Sequence, residues 1–95
     1  MKDHKLKLIN STYSINDARE VLFSLISDKI KFLNLQILSA NERYGNDSIH
    51  LENRVKQLQT DKETLIAALN QLDSETHRIA IDCDVTVKVK HVELA

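Results

Sequence analysis

With one glycine and no proline in its 95 residues, this chain has almost no means of interrupting a helix once it starts one. Gly45 divides two long stretches that contain no breaker at all. In residues 15–44 the apolar positions Ile15, Leu22, Ile26, Leu33, Ile37 and Tyr44 recur in alternating steps of seven and four, the period of one helix face. A second set, Val21, Leu25, Phe32 and Leu35, widens the stripe beyond what a single neighbouring helix covers. Ser14 precedes the stretch as an N-cap with Asp17 in the place of the capping acid. At ~1.5 Å per residue the helix predicted over 15–44 is about 45 Å long.

Gly45 falls where a left-handed C-cap residue belongs, and Asn46, Asp47 and Ser48 each suit the N-cap of a second helix. So short a connection returns the second helix, predicted over 48–78, antiparallel to the first. Leu51, Leu58, Leu65 and Leu72 recur every seven residues with Ile79 continuing the series, and Val55, Lys62, Leu69 and Thr76 occupy the alternate seam positions. Lys62 and Thr76 weaken that seam, while Ile66 and Ala68 broaden it. A face this wide fits a four-helix bundle better than a two-stranded zipper. The Lys62 stem is expected to pack in the seam and to send its ammonium to solvent or to an acid.

Both ends of the chain read as strands. Lys5-Leu6-Lys7-Leu8-Ile9 alternates over 4–9, and residues 10–14 read as a turn. Residues 79–90 alternate without a fault, with Ile79, Ile81, Cys83, Val85, Val87 and Val89 on one face and Ala80, Asp82, Asp84, Thr86, Lys88 and Lys90 on the other. The phase slips at His91 and Val92. An antiparallel hairpin brings Ser14 and Arg78 to one end, so the two strands can pair. If Leu6 and Leu8 share the apolar face, Leu6 falls opposite Cys83 and Leu8 opposite Ile81. Lys5 then stands across from Asp84 and Lys7 across from Asp82, opposite charges in both cases. That register leaves 86–90 without an intrachain partner, and the expectation is that 85–89 pairs with its own copy about a two-fold axis near Val87.

The chemistry of the side chains narrows the function classes. Thirteen basic and 14 acidic residues balance to a formal charge of −1, which favours neither a polyanion partner nor an acidic tail. The only aromatics are Tyr13, Tyr44, Phe23 and Phe32, too few to interleave with bases. The spaced leucines of residues 51–72 lack the basic helix that a DNA-reading zipper carries on its N-terminal side. Lys5, Lys7, Lys88, Lys90 and His91 could form a basic strand face, although lysines on a sheet edge also serve to block aggregation. Asp82, Cys83 and Asp84, near His77 and His91, invite a metal or thiol reading, but in a strand Cys83 points away from both aspartates. A single cysteine rules out an internal disulfide, and Cys83 is expected to be a buried, unreactive core thiol. No catalytic, cofactor or metal residues emerge. His4, His50, Glu20, Glu42 and Arg43 read as solvated surface.

Met1-Lys2-Asp3-His4-Lys5 lacks a signal-peptide core, and no stretch approaches the roughly 20 apolar residues of a membrane helix. The expected location is therefore the cytoplasm. The expected fold is a single domain over 1–95, mainly α within the α+β class, in the order β-α-α-β. Its long antiparallel helical hairpin carries short terminal strands and dimerises into a four-helix bundle with a small antiparallel sheet. The expected function is that of a non-enzymatic interaction protein: an assembly, adaptor or regulatory subunit with an unidentified protein partner. It would act as a homodimer through Val21, Leu25, Phe32, Leu35, Val85, Val87 and Val89. A nucleic-acid-associated factor using the strand lysines is the alternative reading, and an enzyme with a site between subunits the third.

Overall fold

A computed structural model describes residues 3–44 and 48–91, with the side chains of 41–44 left aside. It is mixed α+β in the order β1 (His4–Tyr13), α1 (Ile15–Tyr44), α2 (Ile49–Asn70) and β2 (Ile79–Val87), with β1 and β2 forming a two-stranded antiparallel ribbon. Gly45, Asn46 and Asp47, read above as the C-cap and candidate N-caps, lie outside the described residues, as does the phase slip at Val92.

The start of α1 follows its sequence closely. Ser14 is the only residue between β1 and α1, and its Oγ accepts the Asp17 amide at 3.1 Å while its carbonyl accepts the Ala18 amide at 2.9 Å. An N-cap thus makes the whole corner. Of the expected seam, Ile15 and Leu33 are buried and Leu22, Ile26 and Ile37 half-buried. Two further residues belong to it: Ile30, at the centre of the cluster with Leu33 and Val55, and Ala18, which has no exposed surface. Ile26, Ile37, Leu51 and Leu58 pack around that cluster. Steps of seven pass over Ile30, yet Ile26, Ile30, Leu33 and Ile37 form a continuous row at spacings of four and three, which is how a helix face is filled.

α2 stops at Asn70, well short of the expected end near residue 78. Asp73 accounts for the difference. Its carboxylate accepts the Glu75 amide at 2.9 Å, and its carbonyl accepts the amides of Thr76 at 3.3 Å and His77 at 3.0 Å. A short polar side chain that caps its own turn competes directly with helix continuation. Leu72, Thr76 and Ile79 are therefore not seam residues, and Leu72 is exposed. Where the two helices meet at this end, Arg19 Nη2 donates to Asn70 Oδ1 at 2.7 Å.

The strands pair in a register other than the expected one. Leu6 faces Val85, Lys7 faces Asp84 and Ile9 faces Cys83, with an irregularity between Lys7 and Ile9 that leaves Leu8 without an opposite number. The cause lies in β1 itself. Leu6 and Ile9 are out of phase by one residue, and a bulge at Leu8 lets both join the face of Cys83 and Val85. Asn10, Ser11 and Thr12, read above as a turn, are strand residues opposite Asp82, Ile81 and Ala80. Pairing with a long partner strand overrides their weak preference for a turn. Residues 86 and 87 are not free, since Thr86 faces Lys5 and Val87 faces His4. Both strands end at the pair His4 and Val87.

The molecule is thin. Its Cα extents are 59 × 34 × 14 Å and its radius of gyration is 17.4 Å, against roughly 12 Å for a compact domain of this length. The ribbon touches α1 and not α2. None of the large side chains is fully buried among the described residues. Domains ordinarily bury their apolar faces between two packed layers, and this chain supplies little more than one.

Candidate interaction surface

The outer flank of α1 is the main apolar surface. Val21, Leu25, Phe32 and Leu35 are spaced by four, seven and three residues, so they line up along one side of the helix beside the seam. α2 leaves them open: Val21 is half-buried, while Leu25, Phe32 and Leu35 are 37%, 54% and 58% exposed. Lys29 Nζ sits 5.6 Å from the Phe32 ring centroid, a cation–π contact that shields part of the ring.

The stripe continues onto the ribbon. Leu8 and Ile9 of β1 face Glu20, Val21, Ser24 and Leu25 of α1 across an open, largely apolar groove of about 510 Å³. The bulge is what brings Leu8 there, and Leu8 is 52% exposed. Sequence reasoning placed Leu8 against Ile81 and so missed it as a surface residue. The signal was present in the two adjacent apolar residues Leu8 and Ile9, which a strict alternation cannot place on one face.

At the far end of the ribbon Val85 is half-buried and Val87 and Val89 are exposed. Cys83 is half-buried rather than buried. The apolar face of the ribbon is well covered only near Ile81, so solvent reaches the residues beyond it.

The polar groups are mostly engaged with one another. Lys7 Nζ donates to both carboxylate oxygens of Asp82, at 3.0 and 3.2 Å, and lies 3.8 Å from Asp84. All three side chains are exposed, so the cluster contributes at most about 1 kcal/mol. It does remove Lys7 from any basic face. His77 Nδ1 lies 2.9 Å from Thr76 Oγ1 and 3.1 Å from the Asp73 carbonyl, which ties it to its own turn and not to Cys83. Among the described residues no three His, Cys, Asp or Glu side chains are grouped to hold a metal ion. Among them, too, no helix is long and apolar enough to cross a membrane.

Lys62 is half-buried, and among the described residues its ammonium forms no ion pair. It lies 4.7 Å from the centroid of the Phe23 ring. A contact of this kind contributes about 0.5–1 kcal/mol, and a buried leucine gains about 1.5–3 kcal/mol over an exposed one. Because the position is only half-buried, Lys62→Leu is expected to raise stability by no more than about 1 kcal/mol. A urea melt checks this, and a lowered midpoint would show that the cation–π contact dominates.

No family model matches this chain, and neither a curated protein nor a solved structure is significantly similar to it.

Proposed function

We propose that this chain is a non-enzymatic interaction protein, an assembly, adaptor or regulatory subunit, that acts as a homodimer through the outer flank of α1. The observation that carries this reading is the exposed row Leu25, Phe32 and Leu35, continuous through Val21 with the groove at Leu8. A soluble monomer rarely leaves a contiguous apolar patch of this kind in water. The thinness of the fold points the same way, because a second hairpin laid on this flank supplies the missing layer and completes a four-helix bundle. The reading that uses strand lysines for a polyanion is less well supported, since Lys7 already holds two carboxylates.

The test is sedimentation of the unmodified protein beside the Leu25→Glu/Phe32→Glu variant. The unmodified chain is expected to sediment as a dimer at micromolar concentration and the variant as a monomer, with association weakened at least about a hundredfold. Two glutamates in a desolvated interface cannot be accommodated. An unmodified chain that is monomeric at high micromolar concentration, or a variant that stays dimeric, overturns the proposal.

A further inference from the structure

We infer that the open edge of β2 is self-complementary and pairs antiparallel with the β2 edge of a second copy about a two-fold axis at Thr86; this rests on the dimeric reading above. The argument begins with the polar face of the strand. Asp82, Asp84, Thr86, Lys88 and Lys90 lie at alternate positions, two acids and two bases placed antisymmetrically about a threonine. Turning such a row through a two-fold axis at its centre sets every acid against a base. Asp84 then faces Lys88 of the second copy and Asp82 faces Lys90, and symmetry repeats both pairs.

Other registers do less. An axis at Val85 sets Asp82 against Lys88 but leaves Asp84 against Thr86. An axis at Val87 sets Asp84 against Lys90 and leaves Lys88 against Thr86. An axis at Asp84 or Lys88 puts a charge against itself, which is unfavourable directly across two strands. Only Thr86 satisfies both acids and both bases. On the other face this register sets Val85 against Val87 and Cys83 against Val89, so the apolar side stays continuous across the junction.

The structure supplies the free edge. Among the described residues β2 pairs only with β1, and the pairing ends with His4 opposite Val87. Among the described residues Lys88 and Lys90 are exposed and meet no carboxylate. The other edge of the ribbon is unsuited to the same use. β1 carries Lys5 and Lys7 in its first half and a bulge at Leu8, and both features discourage edge pairing. A two-stranded ribbon is marginal by itself. Pairing through β2 makes it four strands and lengthens β2 to His91.

Single cysteines read the register directly. In a Cys83→Ser background, Thr86→Cys, Val85→Cys and Val87→Cys are oxidised in turn and run on a non-reducing gel. Only the residue on the axis meets its own copy at the separation a disulfide requires. Thr86→Cys is expected to cross-link at least about tenfold faster than the other two. In parallel Lys88→Glu/Lys90→Glu, which sets acid against acid without removing any intrachain pair found here, is expected to weaken self-association at least about tenfold. Fastest cross-linking at Val85→Cys or Val87→Cys overturns the register. A dimer that cross-links at none of the three and ignores the lysine changes overturns the inference while leaving the α1 reading standing. A monomer overturns both. Cross-linking at Thr86→Cys together with a dimeric Leu25→Glu/Phe32→Glu variant upholds this inference and rejects the α1 surface.

Discussion

Truncating Leu33 to alanine is expected to destabilise the protein by about 2–3 kcal/mol, the low end of the range for buried leucines. Leu33 is 4% exposed and lies in the one cluster that joins the helices, against Ile30 and Val55. Removing its isobutyl group takes away apolar burial and leaves a gap between α1 and α2. Two opposing effects set the size. Neighbours that are themselves half-buried, such as Ile26, Ile37, Leu51 and Leu58, can close part of the gap or let water fill it, which moderates the cost. Against this, small domains have only ~5–15 kcal/mol in total, and a fold this thin belongs at the bottom of that range. The loss is therefore a large fraction of the whole. Urea denaturation checks it: the midpoint falls while the slope is unchanged. Ile37→Ala, at a half-buried site one turn along the same face, is the reference and is expected to cost less. If the two variants are equally damaged, the core is not centred on Leu33.

How far the fold was legible in the sequence differs from element to element, and the differences have physical causes. α1 could be read in full because a cap, an uninterrupted helical period and a following glycine all agree. α2 could be read at its start and along its seam but not at its end. The heptad continues past Asn70 in the sequence, and only the hydrogen bonds of Asp73 show that the backbone has a better partner there. The ribbon was legible as a pair of strands and not as a register. Strict alternation described β2 well, but in β1 the apolar residues change phase at Leu8 and Ile9, and a bulge was needed to reconcile them. The ion pair of Lys7 with Asp82 was anticipated as a directly opposed pair; it forms diagonally, with Asp84 opposite. For the candidate surface, the row Leu25, Phe32 and Leu35 followed from helical spacing alone. The groove at Leu8 did not, because it depends on that same bulge. The partner of Lys62 was missed for another reason, since an aromatic face attracts a cation without any charge to announce it.

Replacing Ala18 with leucine is expected to detach the ribbon from the helices without unwinding them. Ala18 has no exposed surface, and among the described residues Ile15 at 3%, Leu69 at 4% and Ile81 at 8% are the other buried apolar residues outside the central cluster. Ala18 sits in the first turns of α1, the one helix that the ribbon touches. A residue without exposed surface, four positions past the Ser14 corner that joins β1 to α1, has no room for a larger side chain. Three more carbons must displace a neighbouring element or adopt a strained rotamer, at a cost of about 1–3 kcal/mol. Leucine is nearly as good a helix former as alanine, so α1 itself loses little. The ribbon, in contrast, has only its own pairing to fall back on, and two strands alone are marginal in water. Amide exchange in β1 and β2 is therefore expected to speed up strongly while helical circular dichroism holds near its original value. Lys31→Leu, at an exposed position of the same helix, controls for the added leucine and is expected to leave both signals unchanged. If the amides of β1 and β2 stay protected in Ala18→Leu, the ribbon is held by something other than its packing on α1. Lost protection when Lys88→Glu/Lys90→Glu is added to that variant would identify the hold as the β2 edge of a second copy.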